Sequence, residues 1–82
     1  MESISNMVID EDTLTGEKTI TFPWRARYIE IINDNPSGVL KYKFKQTQDF
    51  ATLKPLEAVT PSIKSFTVIL QGTGEYRVRA EG

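Results

Sequence analysis

Residues 38–45 read Gly-Val-Leu-Lys-Tyr-Lys-Phe-Lys, and from Leu40 onward apolar and basic residues alternate without a break. Successive side chains of a strand lie on opposite faces, so Leu40, Tyr42 and Phe44 point one way and Lys41, Lys43 and Lys45 the other. A period of two does not fit a helix. It fits a strand with one face on a core and the other offering a row of ammonium groups to water or to a partner.

The rest of the chain repeats the theme. Residues 26–32 (Ala-Arg-Tyr-Ile-Glu-Ile-Ile) are rich in β-branched and aromatic residues, with Ile29 and Ile31 suited to a core face. Residues 18–22 form a strand closed by Pro23, with Ile20 and Phe22 inward. Residues 62–70 form a longer one with Phe66, Val68 and Leu70 inward. After a turn at Gln71-Gly72-Thr73-Gly74, residues 75–80 return with Tyr76, Val78 and Ala80 inward and Arg77 and Arg79 outward. Residues 51–57 are a short extended segment with Leu53 and Leu56 as plugs, and residues 1–9 carry a weak strand pattern with apolar side chains on both faces. Residues 10–17 (Asp-Glu-Asp-Thr-Leu-Thr-Gly-Glu) read as a polar loop. Asn33-Asp34-Asn35-Pro36-Ser37-Gly38 is the strongest turn signal and predicts a hairpin joining the Tyr28 strand to the lysine strand. No window holds a 3.6-residue period long enough for a helix. About seven short strands predict an all-β fold, a small antiparallel β-sandwich of Ig-like or jelly-roll-like layout. The expected division is an acidic N-terminal segment or arm, 1–17, and a single sandwich domain, 18–82.

At 82 residues the core is thin, since a chain of this size buries only about 60% of its unfolded surface. Cysteine and histidine are both absent, which removes disulfides, thiolate or imidazole metal sites, and most nucleophile–base pairs. Oligomerisation is the remaining way to reinforce so small a core. No constellation points to an enzyme or to a cofactor. The start, Met1-Glu2-Ser3-Ile4-Ser5-Asn6, lacks the basic and apolar regions of a signal peptide, and no apolar run is long enough to span a bilayer. A soluble protein made in a cytoplasm, with no membrane partner, is expected. Charge is uneven. Residues 1–24 hold five carboxylates against Lys18, a net of −4, and residues 25–82 hold nine cations against six carboxylates, a net of +3. An acidic segment beside a basic body can pair within a molecule or between subunits.

Three surfaces are candidates for binding. Lys41, Lys43 and Lys45 with Arg77 and Arg79 suggest a basic face for nucleic acid or an acidic protein. However, no aromatic residue alternates with these charges as a stacking platform, and the net charge of −1 disfavours nucleic acid. Trp24, between Pro23 and Arg25, suits either an interface anchor or a plug at the end of the fold. Ile32, Val39, Ile63 and Ile69 fall on the outward phase of their strands, which suggests a contact patch. Asp10-Glu11-Asp12 invites a calcium reading, but an EF-hand count from Asp10 puts Leu14, Thr15 and Thr21 at positions 5, 6 and 12, so the match fails. Trp24, Arg25, Ile32 and Ile69 are the expected contacts.

Phe22-Pro23-Trp24, the run from Arg27 to Asp34, Leu40-Lys41-Tyr42-Lys43-Phe44, Thr52-Leu53-Lys54-Pro55-Leu56-Glu57 and Gly74-Glu75-Tyr76-Arg77-Val78 together resemble small β-sandwich proteins of tailed-bacteriophage virions. The resemblance covers residues 20–80 as a pattern of strands and turns, and the acidic residues 1–17 lie outside it. It implies a non-enzymatic structural role: a head decoration or cement protein, or a collar or tail accessory. Such a protein is made in the host cytoplasm, resides in the virion, is oligomeric and has other virion proteins as partners. Two rival expectations remain. One is a carbohydrate- or host-surface-binding module using Trp24, Tyr28 and the Asn33–Asn35 turn. The other is a nucleic-acid-binding protein using the lysine face.

Overall fold

A computed structural model describes residues 6–82; Glu2, Ile4 and Ser5, which enter the expected acidic arm and first strand, lie outside the described residues. Six strands are present there, where about seven short ones are expected: β1 (Met7–Ala26), β2 (Tyr28–Asn33), β3 (Leu40–Lys43), β4 (Ala51–Leu53), β5 (Ala58–Val59) and β6 (Ser65–Glu81). All pairings are antiparallel and belong to one sheet, ordered β4-β3-β6-β2-β5 with β1 along the other edge of β6. The sheet curls into a nearly closed, barrel-like form.

The curl follows from strand length. A straight strand as long as β1 would measure about 66 Å, yet the longest dimension of the molecule is 37 Å. Both long strands must therefore bend, and they do so together. Gly16 (φ 95°) pairs with Gly72 (φ 151°), and Leu14 pairs with Gly74 (φ 126°). The β1/β6 ribbon keeps an unbroken register from Met7↔Glu81 to Thr21↔Thr67, so it folds over without losing its ladder. Ala26 pairs with Ser65 and Tyr28 with Glu81, so the single residue between them, Arg27, bridges the opposite ends of β6. That bridge brings the two halves of the ribbon into one closed form.

Several sequence expectations change here. Residues 10–17 are strand rather than loop, because residues 71–78 supply them with a ladder partner. Gln71–Gly74 is a corner within β6 rather than a hairpin turn, so the expected 62–80 hairpin is one bent strand. Pro23 does not end β1; residues 22–25 bulge out against Phe66 alone, and the ladder resumes at Ala26. The expected hairpin between the Tyr28 and Lys41 strands is also absent. β2 pairs with residues 76–81 of β6 and β3 with residues 69–72, so they lie end to end along the same edge. Alternation assigns faces but does not choose neighbours.

The core gathers Leu14, Ile20, Phe22, Ile29, Ile31, Leu40, Phe44, Leu53, Val68, Leu70, Tyr76, Val78 and the smaller Ala26 and Ala80 from both halves of the ribbon. Each fully buried aliphatic contributes about 1.5–3 kcal/mol. Four positions depart from their expected side. Phe66 is 55% exposed because it opposes the bulge, and Leu56 is 65% exposed in a turn with φ 63°. Ile69 is 2% exposed, and Ile63 packs against the core from outside the ladder.

Two polar clusters hold the corner. Asn33, 1% exposed, donates through Nδ2 to the carbonyls of Gly38 (2.9 Å), Leu53 (3.3 Å) and Lys54 (3.0 Å), and its Oδ1 accepts from the Asn35 amide (3.0 Å). Asn35 donates to Thr73 O (2.8 Å) and accepts from the Ser37 amide (2.9 Å). The turn residues thus tie β2 to β4 and to the corner of β6 instead of closing a hairpin. On the other side of the ribbon, the Tyr76 hydroxyl donates to Asp10 Oδ1 (3.0 Å) and accepts from Lys18 Nζ (2.8 Å), while Lys18 reaches Asp10 Oδ2 at 3.3 Å. Asp10 and Lys18 lie on opposite sides of Gly16, so this trio clamps the two halves of β1 together.

Candidate protein-docking surface

Residues 7–13 of β1, residues 75–81 of β6 and β2 present one outward face. Cross-strand register places Met7, Glu81 and Tyr28 in one row, Ile9, Arg79 and Glu30 in the next, and Glu11, Arg77 and Ile32 in a third. Ile9 is 62% exposed, and Met7 and Ile32 are half-buried. Together with the arginines they line a shallow cleft of about 390 Å³. Arg77 makes a bidentate contact with Asp34 (Nε–Oδ2 2.7 Å, Nη2–Oδ1 3.0 Å), and Arg79 reaches Glu81 at 3.3 Å. The hydrogen bonds to Asp34 hold the Arg77 guanidinium above its already high ordinary pKa, so it is a fixed charge at every working pH. These arginines are oriented, partly neutralised groups in a mixed apolar and charged surface.

Beside this face runs the outer edge of β1. Among the described residues β1 pairs only with β6, so one side of a 20-residue strand carries unpaired backbone groups. An open edge of this length is a template for another strand unless something restrains it. Here the restraints are Pro23, the bend at Gly16 and the acidic side chains of residues 10–12 and Glu17.

The expected contact residues divide among separate places. Ile32, Arg77 and Arg79 meet on the face just described. Lys41, Lys43 and Lys45 lie at β3 and just beyond it, and β3 belongs to the other half of the ribbon, opposite residues 69–72 of β6. The corner at Gly72–Gly74 separates them from Arg77 and Arg79, so the five cations form no common strip. Lys41 and Lys45 are exposed, whereas Lys43 is half-buried, donating to Gln46 O (3.2 Å) with its ammonium 4.4 Å from the Phe50 ring centre. Ile69 shares its face with its partners Lys43 and Thr19 but is covered, so it offers no surface for contact.

Trp24 is half-buried in the bulge, stacked on Phe22 at 6.2 Å with ring planes 20° apart, and packs against the core. That placement fits the plug expectation, and Arg25 beside it is exposed. Gly82 lies flat against the indole, where a Cβ would come within 2.9 Å. Asn33 is at the other end of β2, opposite Tyr76, whereas Tyr28 is opposite Glu81. Five strand residues, about 17 Å, thus separate the Tyr28 end from the turn, and Asn33 has its amide group already bonded. Trp24, Tyr28 and the Asn33–Asn35 turn form no single sugar site.

The sequence pattern left Ile9 and Met7 unassigned as contacts, although apolar residues on both phases of 1–9 were a signal of a second contact face. Nothing in the sequence marked Phe66 as exposed, because the bulge that displaces it is a property of two strands. Compared with known proteins, the chain matches no family model, and no curated protein or solved structure matches it significantly.

Proposed function

We propose that this chain is a non-enzymatic structural subunit that docks on a repeating protein surface, as a component of a tailed-bacteriophage particle: a head decoration or cement protein, or a collar or tail accessory. In the same proposal the two halves of the bent ribbon serve as the layers of a small Ig-like or jelly-roll-like sandwich. The observation that carries the docking reading is the open edge of β1 beside exposed Ile9, half-buried Met7 and Ile32, and the two oriented arginines. Main-chain pairing along such an edge supplies affinity and the neighbouring side chains supply specificity. Repetition on a lattice multiplies weak contacts. The placement in a virion rests on the strand-and-turn resemblance of residues 20–80.

The test is quantitative mass spectrometry of particles purified from infected cells, comparing the wild-type chain with Ile9→Lys. The wild type is expected in many copies per particle. The variant, altered at an exposed position, is expected to fold normally and to be depleted at least tenfold. Particles without the chain would refute the virion placement, and equal incorporation of Ile9→Lys would refute the docking face. The carbohydrate and nucleic-acid readings are weaker, since their residues are dispersed; glycan-array and low-salt filter binding are expected to be blank.

A further inference from the structure

The charges that the sequence divides between its two segments are gathered by the fold at the two ends of the molecule. At the end where residue 27 bridges the two halves, Arg25, Arg27 and Lys64 line one depression with Ser62 and Ile63, and no carboxylate lines it. Among the described residues neither Arg25 nor Lys64 has an ion-pair partner, while Arg27 Nη2 donates to Gly82 O at 3.1 Å. At the corner end, Glu11, Asp12, Asp34 and Glu75 surround a second depression with Arg77 as its only cation. Arg77 is occupied by Asp34, which leaves Glu11, Asp12 and Glu75 without an ion pair among the described residues. Three cations, of which only Arg27 has a hydrogen bond described above, thus face out at one end, and three carboxylates without an ion pair among the described residues face out at the other. Glu75 and Glu81 mark these ends on β6, six residues or about 20 Å apart along the strand.

We propose that the basic depression at Arg25, Arg27 and Lys64 receives the acidic corner, Glu11, Asp12 and Glu75, of a second copy of this chain, so that subunits associate head to tail. The contact joins two different patches, so it is heterologous and builds a ring or a filament. A two-fold contact through either end would oppose like charges, which is repulsive. A nucleic acid lying in the basic depression would bring its further phosphates against a molecule whose net charge is −1. A second copy brings carboxylates equal in number to the cations it meets.

This inference deepens the docking reading by naming one partner, and it is tested apart from particles by sedimentation velocity of the purified chain. At 20 mM NaCl the wild type is expected to sediment above monomer mass. Charge-steered contacts are screened by salt, so at 500 mM the association constant should fall by about tenfold or more. Arg25→Glu/Lys64→Glu and Glu11→Lys/Glu75→Lys alter exposed side chains only, and each is expected to be monomeric alone. Mixed in equal amounts they are expected to associate, since the unaltered acidic end of one meets the unaltered basic end of the other. A wild type that stays monomeric at 20 mM NaCl up to millimolar concentration overturns the contact, and so does association that ignores salt or persists in either variant alone. Heparin bound through Arg25 and Lys64 by a chain that remains monomeric also overturns it. Incorporation of a monomeric chain into particles would discard the head-to-tail contact while leaving the docking reading intact; head-to-tail assembly of a chain missing from particles would do the reverse.

Discussion

Asn33 shows how much of this fold depends on single polar side chains in the turn. Its amide satisfies three carbonyls from two separate segments. Asn33→Ala would remove all three of these bonds, leaving Lys54 O with only the Glu57 amide, an expected loss of about 2–4 kcal/mol in chemical denaturation. Asn33→Asp, which turns a carboxylate toward the same oxygens, is expected to be worse. The corner glycines separate two kinds of constraint. A Cβ at Gly16 would meet nothing within 4 Å, so Gly16→Ala bears only the backbone cost of φ 95°, about 1–2 kcal/mol. At Gly74 the Cβ would collide with the Asn35 amide, which bonds Thr73, so Gly74→Ala is expected to cost distinctly more than Gly16→Ala. Tyr76 belongs at this scale too. Burial raises its phenol pKa, and its hydrogen bond to Lys18 raises the lysine's pKa. Both folded-state values lie above the unfolded ones, so the stability they add is complete below the ordinary tyrosine and lysine range and is lost as pH rises through the folded values. Stability is expected to be flat near neutrality and to fall above about pH 10. Tyr76→Phe is expected to cost about 1 kcal/mol at pH 7 and to soften that alkaline decline, as measured by denaturation at pH 7 and pH 11.

At the scale of the elements, the β1/β6 ribbon is the frame, and the short strands are added to one side of it. β2 with β5 extends one half and β3 with β4 the other. The alternation in residues 29–33 and 40–44 placed Ile29, Ile31, Leu40 and Phe44 correctly inside, because a strand's two faces are a local property. It did not show that β2 and β3 are separate neighbours of β6, because pairing depends on segments far away in sequence. Residues 10–17 differ from the expectation for the same reason: charged and threonine-rich residues resemble a loop until residues 71–78 supply the ladder. Hydrogen exchange should reflect this division. Amides bonded within the β1/β6 ladder are expected to be the slowest to exchange, and those of β4 and β5, short edge strands of three and two residues, the fastest among the strands. Uniform protection across all six strands would contradict the ribbon as the frame.

Taken as a whole, the molecule is a small barrel-like sheet with a mixed apolar and charged face on one half of the ribbon, lysines on the other and opposite charges at its two ends. Net charge alone, at −1, hides this arrangement. Because the ends differ in sign, added salt is expected to disperse assemblies and leave the fold itself little affected. A melting temperature that falls in step with dissociation on going from 20 to 500 mM NaCl would instead mean that the subunit depends on its neighbours for stability.

The order of residues by itself determined the all-β character, the inward phase of most strand positions and the segregation of acid from base, since these follow from side-chain periodicity and composition over short windows. Only the tertiary structure decided that Gly16, Gly72 and Gly74 fold a ribbon rather than end strands. It also decided that Phe66 is pushed outward by the facing bulge, that Ile69 is covered, and that Arg77 and Arg79 stand apart from the lysines. Each of those outcomes depends on which distant backbone lies opposite, and a one-dimensional pattern carries no term for a neighbour fifty residues away.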